Sequence, residues 1–335
     1  MRRVAPALPL LAALSAGTAL ADAPRVAADV APVHSLVARV MEGVGEPDLV
    51  IPAGASPHGH ALRPSEAGAL QDADLVFWIG EDLTPWMAGA VEALAGDAEV
   101  VALLEAEGAT RLPFREGALF EAHSHDHGGH GDHDHADHDH AGEAVADGHA
   151  HDHDHAGHDH HGHAHGAHDP HAWLSPDNAA LWLDVIAARL SAADPGNADA
   201  YAANAAAARA EVAALRAEVE ATLAPVRDMR FIVFHDAYQY FEDAFDLPAA
   251  GAISLSDAAE PSPARIGEIQ ARVRAEGIDC VLAEPQFNPA LVATVLEGTE
   301  AGTGVLDPLG SDLAPGPDLY PHLLRNLADA LAECL

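Results

Sequence analysis

Six of the 24 histidines lie outside a long His/Asp-rich run, and of these six two follow apparent strands and a third precedes a predicted helix. His58 follows an apolar strand predicted at 48–51, and His235 comes directly after the strand "FIVF". His171 lies in "DPHAWLSP" before a predicted helix, and Asp307 in "VLDPLG" also follows a strand end. In open α/β sheets ligands bind beyond the carboxyl ends of the strands. We therefore expect these four side chains to line one cleft.

Three imidazoles and one carboxylate are a ligand set that suits tetrahedral zinc. The four residues have no short local signature, because they are spread from His58 to Asp307. A hydrogen-bonded structural role is the alternative for any one histidine, and we assign it to His34 and His322, each on an apparent helix. His60 follows His58 by two residues. It is either a spare or transient ligand or a residue of the cleft rim, and we favour the rim.

The remaining eighteen histidines lie between 123 and 168 and alternate with aspartates. The segment at about 115–168 has almost no large apolar residue after Phe120, so we expect it to be disordered without metal. Neutral imidazole binds zinc and nickel, and such a run is expected to hold several ions weakly. A solvated linker or a tag-like run are the alternatives. The predicted auxiliary ligands are His123, His125, His127, His133, His135, His138, His140, His151, His153, His155, His158, His160, His163 and His165.

The chain has the marks of an exported protein. Residues 1–21 resemble a signal peptide, with Arg2 and Arg3 before an apolar stretch and a small-x-small pattern at 19–21. The net charge of the full chain is -37, and removal of Arg2 and Arg3 with the signal peptide gives -39 for the predicted mature chain. A chain so acidic repels nucleic acid and anionic lipid and attracts cations. Cys280 and Cys334 are an even number of cysteines, which in an exported chain predicts one disulfide, with two free buried thiols as the alternative.

Strands and helices alternate from 25 to about 104 and again from 230, a pattern that predicts parallel sheets covered by helices. Strong helix formers at about 197–223 predict one long helix between the two parts. We interpret it as a connector, with a surface helix of one lobe as the alternative. The predicted fold is α/β, with two lobes, each a mostly parallel sheet flanked by helices, joined by one long connector helix. The predicted boundaries are an N-terminal lobe at 22–172, helices at 173–226 and a C-terminal lobe at 227–335.

Five ordered motifs resemble those of a known family. They are "GASPHGHALRPSE", "DPHAWLSP", "FIVFHDAYQYF", "AEPQFNPA" and "LDPLGSD". The chain is similar over nearly all of its predicted mature length to the periplasmic zinc-binding proteins of ABC importers, the ZnuA type of the cluster A-I solute-binding proteins. The resemblance implies a binding protein, not an enzyme, that captures zinc in the periplasm and delivers it to a permease in the inner membrane. It also implies a disulfide at the positions of Cys280 and Cys334.

The resemblance implies His58, His171 and His235 as zinc ligands. Manganese-binding relatives have a glutamate in place of His235, so this residue favours zinc. Some relatives have a glutamate before the first histidine, where this chain has Pro57, which cannot ligate. The fourth position is then left to Asp307 or to water.

Two other functions fit a zinc site: a zinc-dependent hydrolase and a general periplasmic metal store. The sequence contains no HExxH motif, which disfavours the hydrolase. A store built on the His-rich run needs no two-lobed body. The partners we expect are the permease, the zinc ion and, as a further candidate, a metallochaperone, with the chain itself a monomer that binds no nucleic acid.

The position of the His-rich run yields a prediction about zinc loading. Deleting residues 123–165 should leave the affinity of the cleft unchanged and reduce bound zinc to about one ion per chain. Because tethered weak sites raise the local zinc concentration near His171, deletion should also slow loading when zinc is scarce. Elemental analysis gives the stoichiometry, and the fluorescence of Trp173 on mixing gives the rate. Equal loading rates of the full-length and deleted proteins would mean that the run only stores zinc. A weaker cleft site after deletion would mean that the run supplies a ligand.

Overall fold

The computed structural model describes residues 23–115, 168–254 and 261–334. The predicted signal peptide and the predicted auxiliary histidines lie outside these residues. Within them, no helix has the length and apolar character that crossing a membrane requires.

Eight strands form two separate four-stranded sheets in the described residues, and all strand pairs within each sheet are parallel. The first sheet has the order β2-β1-β3-β4 and the second the order β6-β5-β7-β8. The strands are β1 Val26–Ala28, β2 Asp48–Leu49, β3 Leu75–Trp78, β4 Glu99–Ala102, β5 Phe231–His235, β6 Gly251–Ser254, β7 Cys280–Ala283 and β8 Gly302–Val305. The predicted α/β fold with two parallel sheets is therefore confirmed.

Nine α-helices in the described residues connect and cover these strands. They are α1 Ala31–Val40, α2 Pro64–Asp72, α3 Pro85–Leu94, α4 Pro176–Ala193, α5 Ala198–Leu223, α6 Gln239–Phe245, α7 Pro263–Glu276, α8 Pro289–Leu296 and α9 Leu319–Glu333. Six of them have a proline at the first or second helical position, where its missing N–H costs nothing. Helix starts are thus set directly by the sequence.

The two sheets repeat one local device. The backbone N–H of Arg25, just before β1, donates to Asp74 Oδ2 over 2.9 Å. The backbone N–H of Arg230, just before β5, donates to Asp279 Oδ2 over the same distance, and both pairs are 49 residues apart. Each aspartate precedes the strand that pairs with β1 or β5. Because the strand order and this hydrogen bond are repeated, the carboxyl ends of the central strands have equivalent positions in the two lobes.

The helix α5 connects the two sheets and has 26 residues, about 39 Å at 1.5 Å per residue. It packs against α1 and α4, which belong to the N-terminal part of the chain, and against α9, which belongs to the C-terminal part. The helix α9 also packs on α1, where Ser35 Oγ accepts from Tyr320 N over 2.9 Å. The lobes are therefore joined by α9 as well as by α5, and the predicted domain boundaries stay a prediction.

The predicted disulfide joins Cys280, at the start of β7, to Cys334, at the end of α9. The strand β8, which pairs with β7, begins at Gly302. A Cβ on Gly302 would lie 2.8 Å from the Cys334 carbonyl oxygen. The close approach of α9 to the sheet therefore requires glycine at this position.

Gly302→Ala should lower the free energy of unfolding by about 1–3 kcal/mol, because the Cys334 backbone must move away. The matched control is Gly267→Ala on the exposed face of α7, where a Cβ meets no atom within 4 Å. That change should stabilise the protein by up to about 1 kcal/mol, since alanine is the better helix former. Urea unfolding of the metal-free proteins measures both. Equal stability of Gly302→Ala and the parent would mean that the end of α9 shifts at no cost.

Candidate metal centre

The imidazoles of His58, His171 and His235 converge between the two sheets. One ring nitrogen from each lies within 4.8 Å of the others, and among the described residues no other group of three His, Cys, Asp or Glu side chains is as close. The ring centroids are 5.3 Å apart for His171 and His235, 5.4 Å for His58 and His171, and 6.5 Å for His58 and His235. Three residues far apart in sequence thus present their nitrogens to one point.

The spacing fits a tetrahedral ion. The Nε2 atoms of His58 and His171 are 3.3 Å apart. Two ligands at the zinc–nitrogen distance of about 2.0–2.1 Å and at the tetrahedral angle are about 3.3–3.4 Å apart. The two nitrogens therefore have the separation that a shared zinc ion requires.

His58 lies in a short 3-10 helix, Pro57–Gly59, that follows β2. Ser56 caps this turn, and its Oγ accepts from His58 N over 3.3 Å. Pro57 fixes its own φ and so restricts how the chain enters the turn. The motif "GASPHGH" therefore presents one imidazole from a rigid loop beyond a strand end.

His171 is oriented by Asp169, two residues earlier. Asp169 Oδ1 lies 2.8 Å from His171 Nδ1 and accepts from His171 N over 2.9 Å. A carboxylate accepts at Nδ1, so Nδ1 carries the proton and the lone pair of Nε2 points at the shared site. Complete burial raises the pKa of Asp169 to about 7, although the His171 N–H opposes this rise.

His235 has the same arrangement with a residue of the neighbouring strand. It is the last residue of β5, and Glu284 directly follows β7, which pairs with β5. Glu284 Oε2 lies 2.7 Å from His235 Nδ1, and Oε1 accepts from His235 N over 3.0 Å. Both side chains are almost completely buried, 6% and 1% exposed. The His235 ring is therefore fixed by the second sheet alone.

The imidazoles line a narrow pocket that is partly open to solvent, with space beside the rings for about one ion or water molecule. Trp173, Phe287 and Leu309 line its apolar side. Apolar walls of this kind lower the local dielectric constant and strengthen the electrostatic interactions of a bound ion.

Asp307 is not a member of this cluster. Its carboxylate accepts from Leu309 N at 3.0 Å, from Ser311 N and from Gln286 Nε2 at 3.3 Å. Gln286 lines the cavity, so Asp307 lies one side chain away from it. The prediction that Asp307 is the fourth ligand stays a prediction, as does water.

His60 is likewise outside the cluster. Its Nε2 lies 2.8 Å from Glu66 Oε2, and the two side chains are 9% and 7% exposed. His34 is buried in α1, with Nε2 3.0 Å from the Pro47 carbonyl oxygen. His322 is exposed on α9, with Nδ1 2.8 Å from the Asp318 carbonyl oxygen. Each of these histidines has a local hydrogen-bonding partner instead of a shared site.

A buried charge cluster lies beside the three imidazoles. The Arg115 guanidinium pairs with Asp236, the residue after His235, through Nε at 3.0 Å. It also pairs with Glu242 of α6 through Nη1 at 2.7 Å and Nη2 at 2.9 Å. Burial raises the pKa of both carboxyl groups, and the charge of Arg115 opposes that rise.

The chain segments on either side of 116–167 meet at this cluster. Pro113 and His168 form an antiparallel bridge, and Asp169 N donates to Leu112 O over 2.8 Å. The Tyr240 hydroxyl lies between these segments, donating to Asp169 O at 2.8 Å and accepting from Leu112 N at 2.9 Å. Tyr240 belongs to α6, so the segment that includes His171 is bound to the lobe that includes His235.

Sequence reasoning missed Asp169, Glu284 and Arg115. Asp169 and Glu284 lie inside two of the quoted motifs, "DPHAWLSP" and "AEPQFNPA". A carboxylate two residues before a candidate ligand, or directly after a strand, is a signal for an outer partner of a histidine. Arg115 gives no such signal, because its two partners are more than 120 residues away in sequence.

The two parallel sheets thus form two lobes that face each other across a small cavity beyond the ends of their strands. Residues 26–334 match the family model described as zinc-uptake complex component A, periplasmic. The chain therefore belongs to this family.

Curated relatives have the same extent as this chain. The high-affinity zinc uptake system protein ZnuA of Brucella abortus is 44% identical over 310 residues, which cover 92% of this chain and 91% of the relative. ZnuA of Paracoccus denitrificans is 44% identical over 331 residues, which cover 97% of each. A crystal structure of a zinc-bound ZnuA deletion mutant has a TM-score of 0.69 at 22% identity, covering 93% of this chain and 98% of that one. This last likeness shows the common fold.

Arg115→Met should lower the free energy of unfolding of the metal-free protein by about 3–5 kcal/mol, because two buried carboxylates lose their cation. The triple change with Asp236→Asn and Glu242→Gln should recover most of this loss, since no unpaired charge remains. The matched control Arg189→Met removes an exposed pair with Glu99 and should cost about 1 kcal/mol or less. Urea unfolding measures all three. If Arg115→Met were as stable as Arg189→Met, the cluster would not hold the lobes together.

Proposed function

We propose that this protein captures one zinc ion between its lobes in the periplasm and delivers it to an ABC permease of the inner membrane. The observation that supports this most is the convergence of His58, His171 and His235, with a buried carboxylate at Nδ1 of two of them. Carboxylate–histidine–zinc arrangements fix the imidazole tautomer and make the ring a stronger ligand. The relatives named as high-affinity zinc uptake proteins support the same conclusion.

The ligand set favours zinc over manganese, magnesium and calcium. Neutral imidazole suits zinc, copper, iron and nickel, whereas the harder cations prefer oxygen ligands. The fourth position belongs to water or to Asp307, which would have to exchange a hydrogen bond from Leu309 or Ser311 for the ion. Selectivity against nickel and copper then depends on tetrahedral geometry.

Capture fits the site better than hydrolysis. The space beside the three imidazoles is of the size of a single ion or water molecule. A zinc hydrolase also needs a carboxylate base beside the metal-bound water. The nearest described carboxylates, Asp169 and Glu284, already accept from histidine Nδ1 atoms. We therefore propose that the protein is not an enzyme, and that it acts as a monomer whose two lobes face the permease.

Each of His58→Ala, His171→Ala and His235→Ala should weaken zinc binding by on the order of 100-fold or more, since each removes one ligand. Asp307→Ala should weaken it less, because water can take its place. The control His322→Ala removes an exposed histidine and should keep the parent affinity. A chelator-buffered zinc titration of the full-length proteins keeps free zinc low enough for the weaker sites of the His-rich run to stay empty. Parent affinity in all three ligand variants would place the site elsewhere.

A further inference from the structure

His58 has its own structural support on the loop that presents it. The Trp86 indole Nε1 donates to the Pro57 carbonyl oxygen over 2.7 Å, and His60 Nε2 lies 2.8 Å from Glu66 Oε2. One contact is thus to the residue before His58, and the other is to a residue two positions after it. Both sides of the 3-10 turn are therefore fixed to the lobe.

The two contacts come from adjacent helices. Glu66 lies in the first turn of α2, and Trp86 lies in the first turn of α3, which packs against α2. The His60 and Trp86 rings meet edge to face, with centroids 5.8 Å apart. We call His60, Glu66 and Trp86 the clasp.

Glu66 is well suited to hold His60 in one orientation. The carboxylate Oε2 also accepts from Arg63 N over 2.7 Å, so its own position is fixed by the start of α2. An ionised carboxylate only accepts hydrogen bonds, so the proton between the two side chains belongs to His60 Nε2. That nitrogen therefore has no lone pair for a metal, which excludes His60 as an Nε2 ligand while this contact lasts.

We propose that the clasp positions the His58 imidazole for zinc by fixing the turn that includes His58, whereas Asp169 and Glu284 act directly on the rings of His171 and His235. The proposal rests on the zinc site proposed above and adds three positioning residues to it. Outer partners of metal ligands are worth about 10–100-fold in metal affinity, because a misplaced ligand gives up part of its bond. His60 thus acts on the metal through His58 and not by ligation.

His60→Ala removes the bond to Glu66 and the ring contact with Trp86, and should weaken zinc binding by about 10-fold or more. His60→Gln keeps a donor near the position of Nε2 and should stay within about threefold of the parent. Trp86→Phe keeps an aromatic ring but loses the N–H, and should cost about 2- to 10-fold. Glu284→Gln, which removes the carboxylate beside His235, gives the scale for a lost positioning contact. Chelator-buffered titrations of the full-length proteins measure all four.

The decisive variant is the double change His58→Ala/His60→Ala. If the clasp acts through His58, the double variant binds zinc as weakly as His58→Ala alone. A full additional loss would show that His60 acts elsewhere and overturn the proposal, as would parent affinity in His60→Ala. Parent affinity in His58→Ala would instead refute the zinc site itself. Thermal unfolding of the metal-free variants checks the fold, and if His60→Ala fails to fold, the comparison is made with Trp86→Phe and His58→Ala/Trp86→Phe.

Discussion

The site depends on one constraint: three imidazole nitrogens must be held within 4.8 Å of one another before any ion is bound. Imidazole rings that rotate freely would lose conformational entropy on binding the ion, and before binding their lone pairs would be hydrogen-bonded to water. In this protein the conformational entropy of two of the rings is lost during folding, because buried carboxylates orient His171 and His235 through Nδ1. Preorganisation of this kind allows high affinity in a site of few ligands.

The same constraint explains how the lobes are joined. His171 precedes α5 in the sequence and His235 follows it. The distance between their rings therefore depends on the contacts between the two lobes. Arg115 and Tyr240 make that contact beside the imidazoles. In addition, α9 packs on α1 and is joined to β7 by a disulfide. The two lobes therefore meet at several places, and these contacts determine the separation of His171 and His235.

Much of this architecture was predictable from sequence, because it follows from local patterns. Every predicted strand and helix in the described residues is present, since apolar runs alternate with helical periods and proline marks helix starts. The bounds differ by a few residues, since α4 begins at Pro176 and β8 at Gly302. The convergence of His58 and His235 followed from their places after strands of parallel sheets, whereas His171 lies directly before a short 3-10 helix.

The partners of the histidines were not predictable in the same way. A carboxylate beside a ligand is one acidic residue among 53 in this chain, and only the fold shows which ones are buried against an imidazole. Proximity in sequence also misleads, since His60 is two residues from His58 yet faces Glu66. Asp307 follows a strand end as predicted, but its carboxylate accepts from the backbone of its own turn. In a parallel sheet the strand end determines which residues reach the cleft, and the local hydrogen bonds determine which of them remain available to a metal.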